Sequence, residues 1–334
     1  MKKGKPMLLI LSILAILVIL FLYLPYRRDI QNAHAQLDAM ERQVIKTDCG
    51  PMEVAIRGEG EPVLVSHGIG GGFDQGLGLA KSYLGDGYKV IAPSRFGYLA
   101  TPLPADASPA SQAEAFVCLL DSLGIQKVTV MANSAGGTST IQMALHHPER
   151  LKAIVFVSTA APSVGEYNVA LPPKPVIQTV FGSDFLMWLI THHFESAMKP
   201  AIGVPQGYNL SEVEQTMVTG VIRSVLPIER RTKGFVFDMF TSNLDMDRHP
   251  QEYPLEEINV PVLVIHAIDD SLAMYANAEM LAKRIPNAEL FSIPSGGHLL
   301  LSQEEKVRAE IARFLKAIDQ APVPDDQTQA ATIA

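Results

Sequence analysis

The stretch Val128-Thr129-Val130-Met131-Ala132-Asn133-Ser134-Ala135-Gly136-Gly137 decides how the chain is read. Its first five residues are apolar or β-branched, as a strand buried on both faces requires. Small residues follow, and from 135 to 147 the pattern is helical. Ser134 therefore stands on the turn between strand and helix, with the small residues Ala132 and Gly136 two positions to either side. A serine hydroxyl is a weak nucleophile, and a sharp turn at a strand end is one way to present it for activation. The other use of a serine here is as a helix cap.

Working outward, apolar or alternating runs at 53–57, 62–66, 89–93, 153–158, 260–266 and 289–293 read as further strands. Helical stretches at 76–84, 111–123, 275–285 and 304–318 lie between most of them. Strands alternating with helices of this length imply an α/β fold, with a mainly parallel sheet covered on both faces. The alternation fails between about 160 and 258, where helical pieces at 180–198 and 210–225 predict a helical insertion with prolines at its entrance and exit.

The turn at Ser134 resembles the nucleophile elbow of the α/β-hydrolase family, G-x-S-x-G, with Ala132 in place of the first glycine. Three other elements resemble the same family. Val63-Leu64-Val65-Ser66-His67-Gly68-Ile69-Gly70 is a strand running into a glycine-rich turn like the family's HG loop. The run from Val262 to Asp270 is a strand ending in two carboxylates, and His298 follows the last strand in Ser295-Gly296-Gly297-His298. The resemblance covers about 52–315 and implies a Ser134, Asp270, His298 triad, with Asp269 the alternative acid. It also implies an oxyanion hole from the backbone N–H groups of Ala135 and Ile69, with Gly70 the alternative to Ile69. A phosphate-binding reading of the glycine loop fails because no G-K-[ST] follows. His67 and His266 read as structural, His266 lying beside Asp270. Arg95, at a strand end, is a candidate for holding a substrate carboxylate, with a structural ion pair the other use. Trp188, with Phe181, Phe185 and Met187, is a candidate for lining an apolar acyl pocket, or else cap core.

The chain has 27 Lys+Arg against 35 Asp+Glu, a formal charge of −8, and its basic clusters are too short for a nucleic-acid face. The mean hydropathy of +0.16 is high for such a chain. Its source is 7–24, an uncharged apolar run interrupted by one serine, long enough at about 1.5 Å per residue to span a bilayer. Three lysines precede it and Arg27-Arg28 follow, which predicts a single-pass signal-anchor with the bulk of the protein outside the cytoplasm. Ala33-His34-Ala35 offers the competing reading of a cleaved signal. Cys49 and Cys118 would then lie where thiols oxidise, but spacing does not say whether they meet.

The expected organisation is a cytoplasmic N-terminus over 1–6, a membrane helix over 7–24 and a linker over 25–50. The hydrolase core occupies 51–159 and 259–319, the helical cap 160–258, and an unstructured tail 320–334. The expected activity is hydrolysis of a hydrophobic carboxylic ester (class 3.1.1) through an acyl-enzyme, with no metal or organic cofactor and a small-molecule or lipid-like substrate. The alternatives are carbon–carbon hydrolysis of ring-cleavage diketones, which Arg95 would suit, and a silent membrane-anchored binding protein.

Overall fold

The computed structural model describes residues 4–165 and 171–320. The tail expected over 320–334 lies outside the described residues except for Gln320, which ends the last helix.

The apolar runs do form a sheet, and it holds eight strands. These are β1 (Gln43–Thr47), β2 (Gly50–Arg57), β3 (Glu61–Ser66), β4 (Tyr88–Pro93), β5 (Val128–Asn133), β6 (Leu151–Val157), β7 (Val262–Ala267) and β8 (Ala288–Ile293). Their spatial order is β1-β2-β4-β3-β5-β6-β7-β8; β1, β2 and β4 pair antiparallel and the rest parallel. The central strands read as unbroken apolar runs because helices cover both faces. One layer buries Phe116, Ile141, Phe156 and Leu281 against the sheet, the other Val65, Val155, Ile265 and Phe314. The helices of the core are α3 (Phe73–Tyr83), α4 (Pro109–Ser122), α5 (Gly136–His146), α12 (Tyr275–Arg284) and α13 (Glu304–Gln320). The crossing from β3 out to β4 and back to β5 leaves the C-terminal ends of β3 and β5 side by side, where open α/β sheets collect ligand-binding loops.

Between β6 and β7 the insertion folds as α6 (Lys174–Phe181), α7 (Asp184–His193), α8 (Glu195–Met198), α9 (Glu212–Ser224), α10 (Thr232–Phe237) and α11 (Asn243–Arg248), joined by short 3-10 and π turns. The single helix expected over 180–198 is broken at Gly182 and again at Phe194, whose φ of −126° leaves the helical range.

The N-terminal segment departs most from expectation. A helix runs from α1 (Gly4–Val18) through a π turn (Ile19–Tyr23) into α2 (Leu24–Ala39) without a break. Its apolar half is the one stretch among the described residues long and apolar enough to cross a membrane, and it exposes Leu11, Ile13, Ile16 and Phe21. The linker expected over 25–50 is instead folded structure. Ile30 and Leu37 of α2 are buried, Ile30 against the cap residues Met187, Trp188 and Ile228, and residues 43–47 form edge strand β1. A disulfide joins Cys49, in the β1–β2 turn, to Cys118 on α4 across 69 residues.

Candidate active site

Ser134 is the end of β5 made into a turn. Its φ of +48° lies in the left-handed region that only glycine enters freely, so the surrounding structure must hold it there. Three backbone bonds do so: its N–H donates to Val157 O at 3.3 Å, and its carbonyl accepts from Gly137 at 3.0 Å and Ala160 at 2.9 Å. The small-residue pattern has a direct cause at Gly136, where a side chain would put Cβ 2.4 Å from Ser66 O. Ala132 is fully buried and sits in register between Ser66 of β3 and Phe156 of β6. Ser134 itself keeps partial exposure.

His298 and Asp270 meet directly. His298 Nδ1 lies 2.8 Å from Asp270 Oδ2, and both side chains are buried. Asp270 Oδ1 accepts the Leu272 and Ala273 N–H groups at 2.8 and 3.0 Å. His266 Nε2 lies 3.1 Å from Oδ2 and 2.6 Å from Ala273 O, so one N–H serves both oxygens. Burial pushes the Asp270 carboxyl up, but the hydrogen bonds and charge of His266 and His298 outweigh it and hold the group well below the usual carboxylate range. Asp269 does different work. Its carboxylate accepts the Gly296 and Gly297 N–H groups at 3.2 and 2.9 Å and so shapes the loop that carries His298. Among the described residues no hydrogen bond joins Ser134 to His298.

The glycine loop after β3 reaches across to Ser134: a Cβ built on Gly68 would lie 3.1 Å from Ser134 Cβ. The Gly70 N–H donates to Tyr98 Oη at 3.1 Å, so the alternative oxyanion donor is already engaged. The N–H groups of Ile69 and Ala135 make no hydrogen bond among the described residues. His67 is fully buried, donating from Nδ1 to Gly68 O at 2.7 Å and accepting the Arg95 N–H at Nε2 at 2.9 Å. Burial, with the Arg95 charge beside it, pushes its pKa well down, so it is a neutral structural brace.

Two expectations need correction. Arg95 does not face a substrate: only 2% exposed, it binds Asp238 of the cap through both terminal nitrogens at 2.9 and 2.5 Å, and Tyr98 donates to the same carboxylate at 2.6 Å. A guanidinium buried this deeply needs a fixed anion, and the partner lies 143 residues away in sequence. Trp188 does not line the cavity either. It is 2% exposed, donates from Nε1 to Asp29 Oδ2 of α2 at 3.0 Å, and packs on Tyr26.

The cap is fixed to the core around the site. Arg231 Nη1 donates to Gly71 O at 2.6 Å and its Nη2 to Asp74 at 2.7 Å. Glu214 of α9 accepts from Ser302 at 2.7 Å, and Gly203 O accepts the His298 N–H at 3.0 Å. These contacts, absent from the sequence reading, bracket a cavity of about 420 Å³ lined by Gly70, Gln75, Asn133 and His298 from the core and Met217 and Val221 from α9.

A model of the α/β hydrolase fold matches residues 61–180, and one described as TAP-like protein matches residues 242–328. The chain is 29% identical over 275 residues to an uncharacterized hydrolase, YcgS, of Bacillus subtilis, covering 78% of this chain and 93% of that protein. It is 26% identical over 274 residues to a 2-hydroxymuconate semialdehyde hydrolase of Pseudomonas putida, covering 79% and 90%. An alpha/beta hydrolase fold protein from Nakamurella multipartita superposes with a TM-score of 0.65 at 28% identity, covering 83% of this chain and 99% of that one.

Proposed function

The chain belongs to the α/β-hydrolase fold family and is a hydrolase of that fold, and on this premise we propose that it cleaves a hydrophobic carboxylic ester by acyl transfer through Ser134, His298 and Asp270. The observation that carries the reading is Ser134 held at positive φ beside the Gly68 loop, with His298, paired to Asp270, lining the cavity between core and cap.

In this mechanism Ser134 Oγ attacks the ester carbonyl as its proton passes to His298 Nε2. The carbonyl oxygen becomes an oxyanion facing the unengaged Ile69 and Ala135 N–H groups. Asp270 holds the imidazole by Nδ1 and stabilises the imidazolium. Collapse breaks the ester C–O bond, and His298 returns its proton to the departing alkoxide. Water, deprotonated by His298, then attacks the acyl-enzyme; the carboxylic acid leaves and Ser134 regains its proton.

The relative that acts on 2-hydroxymuconate semialdehyde gives carbon–carbon hydrolysis its support as a second reading. Against it stands Arg95, whose guanidinium is bound to Asp238 and offers no free charge to an acidic diketone. The reading also places the enzyme in a membrane through the apolar half of its N-terminal helix, as a single-pass anchor.

Fluorophosphonate labelling tests the chemistry. The purified protein is expected to label and Ser134→Ala to remain unlabelled; labelling of neither removes this reading and favours the silent binding protein, and labelling of both removes it by placing the reactive nucleophile elsewhere than Ser134. A chain-length series of esters run beside acidic diketones separates the two substrate classes.

A further inference from the structure

The stripe of the N-terminal helix that meets the cap begins before the apolar run ends. Leu22, Tyr26, Ile30 and Ala33 recur at helical spacing and pack with Trp188, Met187, Leu226 and Ile228. Tyr26 lies two residues past Leu24, the last apolar residue of the run, or about 3 Å along the axis. Its ring already meets Phe185 at 5.1 Å and Trp188 at 5.8 Å. No tether therefore separates the end of the span from the cap. The joint is stiffened by polar contacts along α2: Asp29 with Trp188 and, at 3.7 Å, with His192; His34 with Asp184 at 3.8 Å; Asp38 with Arg230 at 2.7 Å.

We propose that the cap is seated on the phospholipid bilayer, with the edge of α7 that carries Phe185, Leu189 and His193 against the headgroups. The proposal rests on the membrane-anchor reading given above and goes beyond it, because an anchor alone leaves a domain's orientation free. Three observations favour a lipid surface. Phe185, Leu189 and His193 share one helix face at four-residue spacing, the first two half-buried and His193 exposed, and Phe194 beside them is 58% exposed. The same level of the helix carries the aromatics Tyr23 and Tyr26 and the exposed cations Arg27 and Arg28, the composition that suits a membrane–water interface. The carboxylates nearest this edge in sequence do not repel an anionic surface: Asp184 is buried and accepts the Glu229 N–H at 3.1 Å, and Glu195 is turned to Gln215 and Thr219 of α9 at 2.8 and 2.7 Å.

The test uses the full chain in phosphatidylcholine–phosphatidylglycerol liposomes. Both native cysteines are in the disulfide, so single cysteines introduced by Arg27→Cys, His193→Cys and Lys127→Cys can each carry a nitrobenzoxadiazole dye. Lys127 precedes β5 at the end of the sheet away from the cap. Phosphatidylcholine bearing a headgroup nitroxide is expected to quench the dye at 193 to a degree comparable with 27, and to leave 127 bright. Quenching at 27 with none at 193 overturns the proposal while leaving the anchor intact. A bright dye at 27 overturns the anchor, and the proposal falls with it. A dark 27 and bright 193, with chain-to-chain crosslinking through residue 193, assigns the edge to a second copy instead and also overturns the proposal.

Discussion

His266 and His298 converge on one oxygen: the first lies 3.1 Å and the second 2.8 Å from Asp270 Oδ2. Only His298 can reach a substrate, so His266 acts through the carboxylate, fixing its orientation and keeping it ionised. His266→Phe preserves bulk and removes the donor. A hydrogen bond to a charged group is worth about 1.5–3 kcal/mol, so kcat/KM is expected to fall roughly tenfold or more, with partial recovery in His266→Gln. The acid limb of the pH–rate profile should also move to higher pH as Asp270 loses a partner that holds it ionised. An unshifted limb would mark His266 as packing alone.

The neighbouring carboxylates predict a sharp asymmetry. Asp270→Asn offers His298 the wrong hydrogen-bond partner and is expected to lower kcat by about four orders of magnitude. Asp269→Asn leaves that pair whole and disturbs the Gly296–Gly297 turn, for an expected loss of about tenfold that falls mainly on loop order. The reverse ranking in steady-state kinetics would transfer the acid to Asp269.

Gly203 has φ +77°, and a Cβ there would stand 2.2 Å from His298 Cβ. Gly203→Ala should therefore displace the histidine and cost activity well beyond its effect on melting temperature. Comparable losses in both would show that the cap loop is only structural support.

Glu214 provides a pH-sensitive latch between cap and core. Hydrogen bonds from the Ser211 backbone, Ser302 and the Ser211 hydroxyl hold its carboxyl at about 2, against an ordinary 4.5. A depressed folded-state value adds stability that is fully present above the ordinary value and is lost as pH falls from there toward 2. Melting temperature in that window should drop more steeply for the wild type than for Glu214→Gln. Parallel curves would rule the latch out.

Closing a loop of 69 residues with the Cys49–Cys118 bond restricts the unfolded chain, which is worth up to about 4 kcal/mol on a chain-entropy argument. Cys118→Ser is expected to unfold at lower denaturant in oxidising buffer, and reductant to bring the wild type to the same midpoint. A midpoint indifferent to both changes would mean that the bond does not form in solution.

The elements that sequence reading placed well are those whose meaning is local. Ser134, Asp270 and His298 each follow a strand, Ser134 and His298 stand among small turn residues, and the glycine loop announces itself in the same way. What escaped it is set by distant partners. Gln43-Val44-Ile45-Lys46-Thr47 is an edge strand with mostly exposed side chains, and only pairing with β2 makes it one. Arg95 and Trp188 looked like substrate contacts because a cation at a strand end and an aromatic in a cap have that use. Their partners, Asp238 and Asp29, lie 143 and 159 residues away, and no local pattern points to either. The open question of Cys49 and Cys118 was of the same kind, decided by how β1 and α4 pack.

Trp188 is the single tryptophan of the chain, and it is buried in the seam between α2 and α7 with its indole N–H on Asp29. The protein thus carries its own optical gauge at that joint. Any event that parts the helix from the cap wets one indole and breaks one hydrogen bond, so a red shift in its emission reports undocking in the unmodified chain, at whatever moment of the catalytic cycle it occurs.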